Sequence, residues 1–270
     1  PFRAFASKRL LVEPLDDYRE GLSAAERGSL LHNALYALWG ELEDSDRLAG
    51  CTASEVQQST DRAVQSAIDG APEAMRQRVG MHCMDLESVR LNAQLMEWLE
   101  VERRREPFRV IDRELPSQFQ LGDLMLNLRV DRIDELADGS RLVIDYKSGR
   151  SSLASWLGER PSQPQLPLYG LTGAVDGIAF AQVRARDCKL AGLGQVTGVP
   201  GVQADIAKAV KRYSLQQDWP GLVEEWRSNL ERLATEFVAG HAEVDPLPGA
   251  CTYCGLQALC RVEYPLEAQG

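Results

Sequence analysis

Two short segments hold residues that could carry out metal chemistry: Val130-Asp131-Arg132-Ile133-Asp134 and Ile144-Asp145-Tyr146-Lys147. On a strand, residues two apart share a face, so Asp145 and Lys147 point one way and Tyr146 the other. An antiparallel neighbour carrying Asp131 can set a second carboxylate beside them. Two carboxylates on adjacent strands make a hard oxygen site suited to Mg²⁺ or Mn²⁺. A lysine there can orient or deprotonate a water and offset charge on a phosphate. Metal, lysine and water together are the parts of phosphodiester hydrolysis. The plain alternative is an ordinary surface ion pair, because Asp-x-Lys at a strand end is a common chance pattern and such pairs contribute little.

A second constellation lies near the C-terminus, where Cys251, Cys254 and Cys260 stand in the spacing Cys-x₂-Cys-x₅-Cys. Six cysteines in 270 residues are too sparse for a secreted disulfide scaffold, so the cluster reads as metal-binding. Thiolate sites of this kind take zinc or an iron–sulfur cluster, and spacing alone does not choose between them. His241 could complete a zinc site, and Cys51 is an internal alternative ligand. Cys83 and Cys188 read as ordinary reduced residues.

The elements that must position these groups change character along the chain. Residues 1–105 read as helical. Ser23-Ala24-Ala25-Glu26 is a capping box that opens a helix with Leu31, Leu35, Leu38 and Leu42 on one face. Two or three more helices are expected after it, one of them around Asp85 to Arg104. The period then falls to two: Phe108 to Leu115 predicts a strand, and Leu124, Leu126, Leu128 and Val130 alternate with polar residues. Asp138-Gly139 marks a turn before Leu142-Val143-Ile144. Together these predict a meander of about three strands. A Ser/Gly-rich loop follows over 148–152, then a short helix near Gln163 to Leu171 with Pro164 early in it. Ile178 to Val183 is a candidate strand. Gly192 to Gly201, with four glycines and one proline, reads as a loop or hairpin. A last helix is expected from Pro220 to Val238, striped by Leu222, Trp226, Leu230, Leu233 and Phe237 and stopped by Gly240.

Composition sets outer bounds. With 44% hydrophobic residues a sizeable core is available, and disorder is excluded as the main state. No apolar run reaches the roughly 18–20 residues that span a bilayer, and no signal peptide is visible. The chain opens on Pro1 and reads as a piece of a longer, cytoplasmic protein. A net charge of −10 argues against a protein that simply coats nucleic acid, but not against a nuclease, whose acidic residues hold metal while local arginines meet phosphates.

Six motifs in order carry a resemblance. They are Arg27-Gly28-x₃-His32, Glu114, Val130-Asp131-Arg132-Ile133-Asp134, Ile144-Asp145-Tyr146-Lys147-Ser148-Gly149, Gln165-x₃-Tyr169 and the Cys251/Cys254/Cys260 tail. The chain resembles the RecB-like branch of the PD-(D/E)XK nuclease superfamily, and within it the AddB-type nucleases with an iron–sulfur cluster. The resemblance spans nearly the whole chain; each motif is weak alone, and their order makes the set specific. It implies an α/β fold, restriction-endonuclease-like, with a mixed central sheet flanked by helices, a helical N-terminal extension and a Cys-bearing C-terminal tail. The parts would be 1–105 with the His32 helix, 106–240 as nuclease core and final helix, and 241–270 as the Cys tail, all one integrated domain of a larger protein.

The resemblance also assigns roles. His32, Asp131 and Asp145 match metal ligands, with the Tyr146 carbonyl as a further one, and Lys147 matches the catalytic lysine. Gln165 and Tyr169, one helical turn apart, would orient that lysine or contact a phosphate; for Tyr169, plain helix packing competes, as it does for His32 taken alone. Glu114 matches an acidic position whose role stays open, and Asp134 reads as an ion-pair partner of Arg132. Arg129 stands where the family often has glycine and reads as a phosphate contact or a solvated face. Arg150 and the run Arg103–Arg105 are further basic candidates along a DNA path; a solvated face competes for the run. Cys251, Cys254 and Cys260 would hold a 4Fe–4S cluster of structural purpose. Its fourth cysteine is expected one residue before Pro1, so the cluster could be absent from this chain.

The implied activity is Mg²⁺- or Mn²⁺-dependent DNA cleavage in repair or recombination, by a water that the metal activates with help from Lys147. Single strands or ends are the expected substrate, and exonuclease the expected mode ahead of endonuclease. No Walker motif is present, so a helicase partner, or a helicase domain in the parent protein, would supply any motor. The rival is a catalytically silent module of the same fold that grips DNA or a helicase. The second rival is a zinc-dependent structural protein whose tail is its only metal site.

Overall fold

The computed structural model describes residues 1–13, 21–173, 175–252 and 254–262. Six helices come first: α1 Phe2–Lys8, α2 Ala24–Leu42, α3 Ser45–Gly50, α4 Ala53–Asp69, α5 Glu73–Val79 and α6 Met81–Glu102. Three strands follow, β1 Phe108–Leu121, β2 Leu124–Leu136 and β3 Arg141–Lys147. After a 3₁₀ turn at Leu153–Trp156 come α7 Gln165–Gly170, β4 Gly177–Gln182, β5 Lys189–Gly194, β6 Val202–Gln203, α8 Ile206–Val210, α9 Trp219–Val238 and α10 Gln257–Cys260.

Local chemistry explains the main elements. Ser23 caps α2 by accepting from the Glu26 amide at 3.2 Å, and the Glu26 carboxylate accepts from the Ser23 amide at 2.8 Å. Two of the four amides left open at a helix start are thereby satisfied. Thr52 and Glu55 build the same box at α4. Leu31, Leu35, Leu38 and Leu42 all fall on the buried face of α2. Along β2, Leu128, Val130, Arg132, Asp134 and Leu136 are buried while their neighbours are not, which is the period of two carried into packing. Gly139 turns β2 into β3 at a φ of +83°, in the left-handed region that glycine occupies without strain.

The sheet has six strands in the order β1-β2-β3-β4-β5-β6. It is mixed: β2/β3 and β4/β5 are antiparallel, β3/β4 and β5/β6 parallel. A parallel neighbour demands a crossover, which the 3₁₀ turn and α7 provide. Strand β3 is buried along most of its length and separates two apolar layers. Leu142, Ile144 and Tyr146 join the core built by α2, α4 and α6. On the other side Phe180 of β4 packs on Trp156 at 4.4 Å, and Trp226 of α9 donates its indole N–H to the Trp156 carbonyl at 2.8 Å. Helices therefore flank the sheet, an α/β arrangement consistent with a restriction-endonuclease-like fold.

Several boundaries differ from the sequence reading, three of them by more than a residue or two in a way that matters for packing. Helix α6 begins at Met81, ahead of Asp85, and β1 continues past Leu115 to Leu121. The stretch Gly192 to Gly201 is not all loop, because Gly192 and Gly194 finish β5. These glycines serve a close approach: a Cβ on Gly192 would sit 2.5 Å from the Ile178 carbonyl oxygen.

The chain divides into two compact units, one of Pro1–Tyr18, Gln120–Leu126 and Leu230–Gly270, the other of Arg19–Phe119 and Asn127–Asn229. Within the first, the Phe2 amide donates to the Glu243 carbonyl at 3.2 Å. The Arg9 guanidinium donates to the Val238 carbonyl at 2.9 Å and lies 5.0 Å from the centre of the Phe237 ring. All candidate residues from His32 to Tyr169 lie in the second unit.

Candidate active site

The ladder between β2 and β3 ends at the pair Arg132↔Ile144. One step further on, a side chain takes over: Oδ2 of Asp131 accepts from the Tyr146 amide at 2.7 Å. Its other oxygen lies 3.2 Å from Nδ1 of His32, which α2 delivers one turn after Gly28. Glu114 reaches the same place from β1, at a φ of +52° that side-chain-bearing residues rarely adopt. Such strain persists where surrounding structure enforces it, and it gathers at functional sites. Ligand atoms of His32, Glu114 and Asp131 all lie within 4.8 Å of one another, the one such group among the described residues.

Asp145 and Lys147 stand beside this group on the face of β3 that carries odd-numbered residues. Their charges meet at 2.6 Å, with the carboxylate almost wholly buried and the ammonium a third exposed. Oδ2 of Asp145 is the oxygen that makes this contact with the Lys147 ammonium. Burial raises the pKa of Asp145; Lys147 opposes this, and Asp131 adds to it. Burial works against a charged His32, yet Asp131 chiefly, with Asp145 and Glu114, holds its pKa above the ordinary value. Three carboxylates surround one imidazole, with Lys147 paired to Asp145 and Arg129 to Glu114. An imidazole and hard carboxylate oxygens, those of Asp145 among them, suit a divalent cation.

The remaining candidates separate. Gln165 is exposed and donates through Nε2 to the Arg129 carbonyl at 2.7 Å, tying α7 to β2. Tyr169 is buried, and burial raises its pKa while its neighbour Ser117 opposes the rise. One helical turn of spacing thus yields one surface tie and one buried ring. The Arg129 guanidinium pairs with Glu114, and Arg150 is exposed in the loop after β3.

Arg105 does not belong on a DNA path. Its side chain is 1% exposed and pairs with Glu102 at 2.6 Å and Asp134 at 2.7 Å. Arg132 completes the cluster, bonding Asp134 at 2.5 and 2.8 Å, Glu102 at 2.6 Å and the Tyr146 hydroxyl at 3.2 Å. Asp134 therefore serves Arg132 as an ion-pair partner. Sequence reasoning gave Glu114 no role, and its partners lie far along the chain; the ordered acidic motif was the one available signal.

Among the described residues, Cys251, Cys254 and Cys260 are free thiols that do not draw together into a compact ligand group, and His241 does not join them. Cys188 donates to the Arg184 carbonyl at 3.3 Å, and burial pushes its thiol up to about 11. No helix of the described residues is long and apolar enough to cross a membrane.

A sequence profile of the PD-(D/E)XK nuclease superfamily matches residues 1–261. No curated protein matches the chain. Among solved structures, the crystal structure of SSO0001 aligns over 96% of this chain and 94% of that one, at 13% identity and a TM-score of 0.32, a likeness too slight to bear on function.

Proposed function

The chain belongs to the PD-(D/E)XK nuclease superfamily, and from that premise we propose that it hydrolyses DNA phosphodiester bonds with a divalent metal, Mg²⁺ or Mn²⁺. The observation that carries this reading is the convergence of His32, Glu114 and Asp131 ligand atoms within 4.8 Å, beside the buried Asp145–Lys147 pair. His32, Asp131, Asp145 and the Tyr146 carbonyl would hold the ion, with Glu114 as a further donor. A bound divalent ion would polarise the phosphate and activate the attacking water.

The chain's own groups supply the rest. Lys147 meets the non-bridging phosphate oxygens and offsets the charge that builds on them. The Tyr146 amide fixes the carboxylate of Asp131, so its other oxygen is already oriented. Gln165 holds Arg129 and its strand against α7. Tyr169 orients Lys147 or contacts a phosphate, and Arg129 and Arg150 meet flanking phosphates. Burial of Asp145 limits the screening of its own pairing with Lys147.

The finer reading is exonucleolytic action on single strands or ends, in repair or recombination, in the cytoplasm, with a helicase partner or a helicase domain in the parent protein. The chain would form one integrated domain with parts 1–105, 106–240 and 241–270. AddB-type membership would add a 4Fe–4S cluster that draws together Cys251, Cys254 and Cys260, which stand apart in this structure. Support for a staple at that end comes from the Phe2–Glu243 bond, which joins the N-terminal helix to the segment before the cysteines. Anaerobic reconstitution should give a brown protein with visible absorption; a colourless protein that binds zinc through the tail would sink the cluster.

The deciding experiment uses end-labelled single- and double-stranded DNA with Mg²⁺, Mn²⁺ or EDTA, comparing the wild type with Lys147→Ala and Asp145→Ala. Metal-dependent cutting lost in both variants is expected. A folded wild-type chain that binds DNA and never cuts would make it a silent binding module.

A further inference from the structure

Glu114 and Arg129 cannot each serve a metal ion and a phosphate while they hold each other. Glu114 offers a carboxylate to the group it shares with His32 and Asp131. Arg129 pairs with that same carboxylate. Strand geometry explains the meeting. Arg129 and Asp131 stand two apart on β2 and so share a face. Glu114 comes to them from β1 through its left-handed backbone. Among the described residues no other arginine or lysine pairs with Glu114. Its neighbour Arg113 is engaged elsewhere, donating to the Tyr36 carbonyl and lying 4.6 Å from the centre of the Tyr36 ring.

The two partners differ in freedom. The Glu114 side chain is 15% exposed and the Arg129 side chain 69%. Gln165 holds the Arg129 backbone through its carbonyl, so the strand stays in place if the guanidinium swings into solvent. A pair this exposed stabilises little and yields to a stronger competitor. A divalent ion is such a competitor, because it carries twice the charge and is drawn by Asp131 and His32 together with Glu114. Once released, the guanidinium keeps its charge and its planar fork of donors, which suits a phosphate.

We propose that Arg129 is a tethered counter-cation for Glu114, displaced by a divalent ion and then free to meet a DNA phosphate. The two binding events are thereby coupled: each favours the released arginine, and by linkage each strengthens the other. The proposal rests on the nuclease reading for the ion and the phosphate, but binding alone tests it. Mn²⁺ titration calorimetry on the full chain is the first measurement. Arg129→Gln removes the competitor and should raise Mn²⁺ affinity about two- to fivefold, the range open to an exposed pair. Loss of a nearby positive charge could act through space, so the gain is measured again in Glu114→Gln. There Arg129 has no carboxylate to hold, and the gain should vanish. If Glu114→Gln binds too weakly to titrate, Arg150→Gln replaces it as a charge control and should leave the affinity unchanged. The second measurement is anisotropy of a fluorescein-labelled oligonucleotide with Ca²⁺ or EDTA. Ca²⁺ should strengthen DNA binding more in the wild type than in Arg129→Gln, which has no arginine to release.

Mn²⁺ affinity unchanged or lowered in Arg129→Gln overturns the proposal and leaves Arg129 a plain phosphate contact. An equal gain in the Glu114→Gln background, or in Arg150→Gln, also overturns it, because overall charge would then be the cause. A Ca²⁺ effect on DNA that is the same in wild type and Arg129→Gln removes the coupling and the proposal with it. All these failures leave the nuclease reading intact while the wild type binds Mn²⁺. A folded wild-type chain that binds none removes both.

Discussion

The backbone amide of Tyr146 donates to Oδ2 of Asp131 at 2.7 Å, one residue past the point where the β2/β3 ladder stops. A side chain has replaced a main-chain partner, so the strands can part without stranding a buried amide. The bond also aims the second oxygen of Asp131 at His32. Asp131→Asn can turn its amide group away from Tyr146, loses a charge, and should reduce metal-dependent cleavage by at least about 100-fold. Losing a group that only orients a metal ligand commonly costs 10–100-fold. Mn²⁺ titration by calorimetry should show the matching loss of affinity; undiminished affinity would remove Asp131 from the metal site.

Beneath the site, two arginines and two carboxylates form a cluster almost closed to solvent. It joins the end of α6 to β2 and, through the Tyr146 hydroxyl, to β3. Arg132 also lies over the Trp39 ring at 3.9 Å. Glu102→Gln keeps the shape of the side chain and removes one of only two negative charges facing two buried guanidiniums. Breaking a buried pair this way costs about 3–5 kcal/mol. Urea denaturation of the variant should show that loss as a lower midpoint; a change under about 1 kcal/mol would mean that water reaches the cluster.

Local rules carried much of this fold. The capping box named Ser23 and Glu26, alternation placed β2, and strand geometry put Asp145 and Lys147 on one face with Tyr146 opposite. What stayed hidden depends on contacts distant in sequence. Arg105 sits in a run of three arginines and looks solvated until Asp134, 29 residues away, is folded against it. Glu114 enters the recess by a left-handed kink that no neighbouring glycine announces. Glycines 192 and 194 look like loop residues because local propensity cannot register an approaching strand.

That last misreading leads to a substitution test. Strand β4 passes so near Gly192 that a Cβ would lie 2.5 Å from the Ile178 carbonyl oxygen and 2.8 Å from the Ala179 Cβ. Neither neighbour can swing aside as a long side chain would. Gly192→Ala should destabilise the protein by about 1–3 kcal/mol, the range for overpacking a close-packed interior. Gly149→Ala, where a Cβ meets nothing within 4 Å, is the matched control and should be near neutral. Equal thermal midpoints for the two variants would contradict the close approach.

Acid sensitivity should trace in part to the start of α2. The Ser23 amide, and after it the Arg78 guanidinium, hold the Glu26 carboxyl below its ordinary range. A lowered folded-state value means that the folded protein holds its proton less tightly than the unfolded chain. The stabilisation is therefore fully present above the unfolded value, about 4.3, and is lost as pH falls through the lowered folded value. Glu26→Gln resembles the protonated acid and lacks this gain at any pH. Melting curves of wild type and Glu26→Gln should differ at neutral pH, by the ~1 kcal/mol typical of a cap, and converge in acid below about 4. A gap that persists unchanged to pH 3 would assign the difference to packing of the side chain and not to its charge.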